Sequence, residues 1–551
     1  MLKCKTVSSL EKIFSDEELR ASEYCGCSAL RGEMVSFQVV LCAPERQWIE
    51  VGAKSSVGAV TVRGVELVPN TLASYNFDEN YLRTTPGLYP DPLMPLKDDR
   101  WILRKRQWQS LWVSVPVPAD CKPGRYEVEI QVRPIEPLGT ASATLEPVTA
   151  RFTVEVIDAA LPPQKLIRSE WFHCDCVYSF YKVGCWSEEH WTLLEKYFAN
   201  AAGHGINMLL TPLWTPPLDT AVNGERPTVQ LLGITRSGDR YEFDFSRLKR
   251  WFELGRKCGF EYFDFAHPFT QWGACFTPKI IVNVDGREEK LFGWHVPADS
   301  PEYAAFLKQL IPQLMEVVRQ AGLEGKIFFH ISDEPHLDHL ESYRYGAELL
   351  RPLIGDAPVI DALSNIDFYD KGVVGIPIPA NNHIEPFYER GISQLFTYFC
   401  VSQWDKVPNR FFAMPSARNR IMGVLSYVYD LSGFLQWGYN FWYTQFSLKQ
   451  DINPFQVTDA GGSFPGGDSF AVYPGPDGPV DSLRHEVFTE GLQDLRALRL
   501  LEERTGRQAV LELVHEGLYY KLTMERYPQD AAWLLNLRCR VNAALAENTA
   551  E

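Results

Sequence analysis

At 551 residues the chain is too long for one ordinary domain, and two or three are expected. Its 45% hydrophobic and 23% charged residues make a globular composition, not a disordered or membrane-spanning one. The net charge of -16 argues against nucleic acid or an anionic membrane as the main partner.

The first residues, MLKCKTVSSLEKIFSDEELR, contain no apolar core of the signal-peptide kind. No run approaches the roughly 18 apolar residues of a membrane span, so no membrane insertion is expected. The 12 cysteines are scattered without a CxxC pair. HCDC, at 173–176, superficially resembles a metal site but lacks a second Cys/His pair at zinc spacing. Buried or free thiols are the better reading, and neither a metal nor an organic cofactor is implied. Together these features predict a cytoplasmic protein.

Residues 1–160 read as an all-β sandwich. MVSFQVVLCAP is apolar and β-rich, and GAVTVRGVELVP alternates. SLWVSVPVPADCKPGRYEVEIQVRP reads as two strands around a Pro-Gly turn, and ARFTVEVID as another strand. The paired prolines of DAALPPQKL suit a linker at 158–166.

From 161 to 480, short apolar runs alternate with helical segments, the pattern of parallel strands with crossover helices. The predicted strands are 167–174, 206–212, 260–266, 326–331, 358–363, 373–378, 394–399 and 436–442. Predicted helices include SEEHWTLLEKYFANAAGHG and SPEYAAFLKQLIPQLMEVVRQAG, each opening on a serine cap and closing on glycine. Eight strands in this length match a (β/α)8 TIM-type barrel; an open doubly wound sheet competes, but no glycine-rich phosphate loop follows the first strand. Residues 481–551 read as a helical extension packed on the barrel, with Arg484, Glu486 and Asp494 holding it there.

The chemistry concentrates in HISDEP, residues 330–335. Asp333 and Glu334 fall just past the fourth predicted strand, at the barrel end where catalytic residues sit. Ser332 or Asp333 capping a helix, with Pro335 in its first turn, is the alternative. Adjacent carboxylates push one pKa up while the other stays ionised, which suits glycoside hydrolysis. A retaining enzyme ordinarily needs a second carboxylate across the sugar. The seventh and eighth strand ends, FTYFCVSQW and GYNFWYTQF, offer none, and Glu385 is the nearest alternative. Substrate assistance removes the need: a 2-acetamido oxygen, held at high effective concentration, attacks its own anomeric carbon.

At this point the sequence resembles glycoside hydrolase family 123, the β-N-acetylgalactosaminidases. The likeness runs through EWFHCDCV, SEEHWTLLEKYFANAAGHGINMLLTPL, HISDEP, GFLQWGYNFW and the tail GGDSFAVYPG…SLRHEVFTEGLQDLRAL. It implies a β-sandwich followed by a (β/α)8 barrel, and retaining, substrate-assisted release of terminal β-linked N-acetylgalactosamine from an oligosaccharide or glycoconjugate glycan. By carry-over, Asp333 orients the acetamido group and Glu334 serves as acid and then base. Position adds candidates for sugar binding: Tyr398 for the acetamido carbonyl, Trp442 for stacking, and His267 and Asp175 for hydroxyls. Trp272 and Trp294 are expected to wall the pocket. A non-catalytic carbohydrate-binding protein, or a glycosidase of other specificity using Glu385 as nucleophile, are the competing readings.

Overall fold

The computed structural model describes residues 1–135, 146–447 and 452–547. The N-terminal region folds as two five-stranded sheets. One has the order Lys3–Ser8, Met34–Cys42, Trp108–Pro116, Thr61–Asn70, Gly87–Pro95. The other has the order Gly26–Arg31, Val148–Ala160, Gly124–Ile135, Gln47–Ser55, Arg100–Leu103. Alternating apolar residues fill the space between them, and Phe37 stacks on Phe152 with centroids 4.1 Å apart. Trp108–Pro116 and Gly124–Ile135 belong to different sheets. The Pro-Gly segment between them therefore crosses the sandwich and does not close a hairpin.

Eight short parallel strands follow the linker: β1 (Ile167–Glu170), β2 (Met208–Thr211), β3 (Tyr262–Phe265), β4 (Ile327–Phe328), β5 (Ile360–Ala362), β6 (Ile376–Ile378), β7 (Phe396–Tyr398) and β8 (Gly433–Gln436). In the order β4-β3-β2-β1-β8-β7, six of them form one sheet, a half-barrel, while β5 and β6 pair with each other. Single parallel bridges join Phe329 to Val359 and Ala380 to Tyr398. Seven strands lie inside their predicted ranges. The eighth does not: it ends at Gln436, where the predicted one begins. GFLQWGYNFW is apolar throughout, and a continuous buried run carries no internal mark of where its strand stops.

The serine caps form as expected. Ser187 Oγ accepts from His190 N at 3.3 Å before the helix Glu188–Gly203. Ser300 Oγ accepts from Tyr303 N at 3.2 Å before Pro301–Gln320. Two hairpins, Gly233–Ser237/Arg240–Asp244 and Ile280–Val284/Arg287–Phe292, join as a four-stranded sheet that the sequence reading missed.

The long helix Leu483–Thr505 packs on the short helices Ser416–Arg420 and Met422–Val428. Their backbones touch at two glycines: a Cβ on Gly423 would lie 1.8 Å from the Gly491 carbonyl oxygen. Asp494 pairs with Arg420 at 2.7 Å, holding this helix on the central region. Arg484 and Glu486 reach the other way, to Asp91 and Arg63 of the sandwich. The last helix, Ala531–Glu547, also packs on the sandwich, against Gly26–Arg31 and Val148–Ala160. The C-terminal extension is thus a brace between both regions and not a cover for the central region alone. Among the described residues, no helix is long and apolar enough to cross a membrane.

Candidate active site

After β4 the chain turns through Ile331 and Ser332 to Asp333 and Glu334. Hydrogen bonds fix this turn. Ser332 Oγ donates to the Thr270 carbonyl at 2.8 Å, Trp272 N donates to the Asp333 carbonyl at 2.9 Å, and Glu334 N donates to the Ala362 carbonyl at 3.0 Å. Glu334 has φ +45°, an unfavourable conformation for a residue with a Cβ, so the tethers hold it there against its own preference. The next helical turn, Leu337–His339, is capped by His336. Neither Ser332 nor Asp333 is a helix cap.

Both carboxylates line a pocket of ≈ 620 Å³, measured to its open mouth. Tyr398, at the end of β7, donates its phenolic hydrogen to Glu334 Oε1 at 2.6 Å. Trp171 follows β1, Trp437 follows β8, and Trp272 comes from the loop after β3. The walls are mostly apolar, so charge is poorly solvated here. Burial, then the neighbouring Glu334 charge, then Asp361, hold the Asp333 carboxyl well above the usual carboxylate range; His330 offsets part of this. Asp333 therefore keeps its proton to a higher pH than an ordinary carboxyl.

A fully buried layer lies behind the turn. His330 bridges Asp361 (Nδ1–Oδ1 3.1 Å) and Asp264 (Nε2–Oδ2 3.3 Å). Burial disfavours its charge, but the two carboxylates outweigh burial and raise its pKa to about 9. His267 stacks on His330 with centroids 4.2 Å apart and planes 26° apart. It is buried away from the pocket and its imidazole is held neutral by burial and by His330. His267, His330 and Asp361 come close enough together to suggest a cation site. The near-parallel rings do not fit one, because their in-plane lone pairs cannot converge on a single ion. The cluster His204, Asp481 and His485 fails for the same reason, its rings stacking at 3.9 Å and 22°.

The structure brings Asp333, Glu334 and Tyr398 together and sets the other predicted binders apart. Asp175 forms a buried two-point ion pair with Arg226, at 2.7 and 3.0 Å, and lies outside the pocket wall. The same guanidinium contacts His173 Nδ1 at 2.6 Å, and burial raises the Cys174 and Cys176 thiols, so HCDC packs structurally. All 12 cysteines are free. Trp442 is a core residue: it is 1% exposed, donates to the Val472 carbonyl at 3.2 Å and packs edge-on against Phe180 and Tyr197. It was expected to end β8, and that place belongs to Trp437 because the strand stops earlier. Trp272 lines the pocket as expected, whereas Trp294 lines a neighbouring cavity and packs on Phe276. Glu385 lies outside the pocket and accepts a hydrogen bond from Tyr429.

Sequence reasoning missed Asp219, a third carboxylate on the pocket wall. Burial holds its pKa at about 6, although Phe446 N donates to its Oδ2 at 2.8 Å. It also missed the support of Trp437. The indole donates to Asp468 Oδ2 at 2.8 Å, and Arg410 grips the Asp468 carbonyl, Gln436 Oε1 and the Glu170 carboxylate. Arg410 thereby ties the ends of β1 and β8 to the pocket wall.

Three comparisons place this geometry. In the solved structure of a family 123 glycoside hydrolase from Clostridium perfringens, studied for glycolipid glycan hydrolysis, the fold matches with a TM-score of 0.77 at 14% identity, covering 100% of this chain and 99% of that one. A human seminal-plasma complex of Zinc 2-glycoprotein and prolactin inducible protein (TM-score 0.15, 8% identity, 28% of this chain and 93% of that one) carries no argument. No curated protein matches the sequence. Residues 171–501 match the family described as glycoside hydrolase 123, catalytic domain, a span that contains Asp333 and Glu334 and most of the chain. The chain belongs to glycoside hydrolase family 123.

Proposed function

We propose that the protein is a retaining glycosidase that releases terminal β-linked 2-acetamido sugars, N-acetylgalactosamine foremost, through an oxazolinium intermediate. The observation that carries this reading is the tandem pair, Asp333 and Glu334, on one tethered turn of a mostly apolar pocket, with Tyr398 bonded to the second carboxylate. The frame is read as a (β/α)8 barrel; the bridges beside β4/β5 and β6/β7 support closure of the half-barrel by the β5–β6 pair. Membership of glycoside hydrolase family 123 and the glycolipid-glycan work on the Clostridium perfringens relative support a glycan substrate. The free thiols suit a cytoplasmic setting.

The acetamido carbonyl oxygen attacks the anomeric carbon as the glycosidic C–O bond breaks, and Glu334 gives its proton to the leaving oxygen. Asp333 accepts the acetamido N–H and stands as the anion beside the oxazolinium. That cation favours ionised Asp333, so the proton that Asp333 keeps moves to Glu334, where the leaving group needs it. Water then attacks the same carbon, Glu334 takes its proton, and the ring reopens with net retention.

Asp219 favours a second reading, a protein nucleophile. Both are tested with aryl β-glycosides of N-acetylgalactosamine, N-acetylglucosamine, galactose and glucose, using wild type, Asp333→Asn, Glu334→Gln and Asp219→Asn. The proposed mechanism requires activity confined to the acetamido sugars. Asp333→Asn should lose it with every leaving group, whereas Glu334→Gln should still release a dinitrophenyl group, which departs without a proton, and lose its rate in hydrolysis of the intermediate, where Glu334 is the base. Galactoside hydrolysis lost in Asp219→Asn would replace substrate assistance by a protein nucleophile.

A further inference from the structure

Beneath the pocket, one strand end holds both ends of the turn that carries the pair. Asp361, fully buried on β5, accepts from Ile331 N at 2.9 Å and from Tyr343 OH at 2.5 Å through its Oδ2. The next residue, Ala362, accepts from Glu334 N at 3.0 Å. The remaining oxygen of Asp361 faces His330 Nδ1 at 3.1 Å, and the far side of that ring faces Asp264 at 3.3 Å. Side chain and backbone of two consecutive residues thus fix positions 331 and 334, the entry and exit of the catalytic turn.

The charges are arranged as deliberately as the backbone. Asp264 and Asp361 are both fully buried, and among the described residues the only basic side chains paired with them are His330 and, at 3.7 Å, His267. Two stacked imidazoles cannot both be protonated in this space, and among the described residues His267 finds no hydrogen-bond partner for either ring nitrogen. His330 is therefore the cation of the layer. The groups that face it are Asp264, Asp361 and the neutral His267; Asp333 lies within its field, and Glu334 and Tyr398 face Asp333 from the pocket side.

We propose that His330 and Asp361 are positioning residues for the proposed hydrolysis: Asp361 holds the catalytic turn, and His330 supplies the fixed positive charge that allows Asp333 to ionise beside Glu334. This inference rests on the glycosidase reading and adds to it a role for the first residue of HISDEP. Neither residue touches substrate. Without an imidazolium behind it, Asp333 would have only burial and like charge around it, and the pair would hold its proton on the wrong member to a higher pH.

The test is the pH profile of kcat for His330→Gln on an aryl N-acetylgalactosaminide, with thermal unfolding alongside. The expected result is a kcat at least 10-fold below wild type at pH 6, KM within threefold, and an acid limb displaced by one unit or more to higher pH. Asp264→Asn weakens the hold of His330 on its proton and leaves every tether of the turn intact. It should move the limb the same way and serves if His330→Gln fails to fold. Folded variants whose profiles superimpose on wild type, with kcat within threefold, would overturn the inference. A wild type inactive on all acetamido substrates would instead remove the hydrolase reading on which it stands.

Discussion

Tyr398, from the end of β7, and Glu334, from the turn after β4, meet in a hydrogen bond of 2.6 Å. The phenol donates, so it stabilises Glu334 as an anion and fixes the direction of its carboxylate. In the proposed cycle this contact matters most after the proton has left, when Glu334 must wait as a base for water. A hydrogen bond to a charged group is worth about 1.5–3 kcal/mol. Tyr398→Phe should therefore lower kcat roughly 10- to 100-fold. Single-turnover kinetics should show the loss chiefly in hydrolysis of the intermediate. An unchanged kcat would leave Tyr398 a packing residue.

Trp437 and Trp442 should separate cleanly. Trp437→Ala removes a pocket wall and should raise KM more than it lowers stability. Trp442→Ala opens a hole in the core and should cost about 3–5 kcal/mol of stability, with KM unchanged in whatever remains folded. Urea unfolding and steady-state kinetics on the same preparations decide this.

Asp333 carries a stability signature. Its carboxyl titrates above the usual range in the folded protein and within it in the unfolded chain. A group raised in this way contributes stability that is complete below the ordinary carboxylate pKa and is lost as pH rises toward the folded value. Asp333→Asn cannot ionise. It should unfold at a higher temperature than wild type at pH 7.5, and the difference should close by pH 4, as read by scanning calorimetry. A gap that does not change with pH would mean that the proton is not held on this residue.

Arg538 should be the most sensitive point of the brace. It pairs with Glu33 of the sandwich at 2.7 Å and with Asp494 of the long helix at 3.0 Å, and all three are nearly buried. Breaking a buried pair from one side strands the other charges and costs about 3–5 kcal/mol. Arg538→Ala should lower the urea midpoint accordingly while leaving KM unchanged.

The carboxylate turn on the pocket wall was legible because chemistry and strand pattern coincide in HISDEP: an apolar run stops and two acids follow. Tyr398 was legible for the same reason, as the last residue of a bounded strand. Trp437 was hidden by GFLQWGYNFW, where nothing polar marks the strand end. Gly433, where β8 begins, has no room for a side chain, because the Phe396 ring of β7 lies 2.2 Å from where a Cβ would be, a fact of packing between separate segments. Asp219 was illegible for another reason. Its loop has no periodicity, and its buried carboxylate meets its partner, Phe446, 227 residues later. His330 was visible as a residue, but its role depends on Asp264 and Asp361 arriving from two other strands.

The brace also sets a timetable for making the protein. Glu33 and Arg538 are 505 residues apart in sequence. At roughly 5–20 residues per second, about 25–100 s separate their synthesis. Through that interval the nascent sandwich waits with a buried-to-be carboxylate and a sheet face that Ala531–Glu547 has yet to cover.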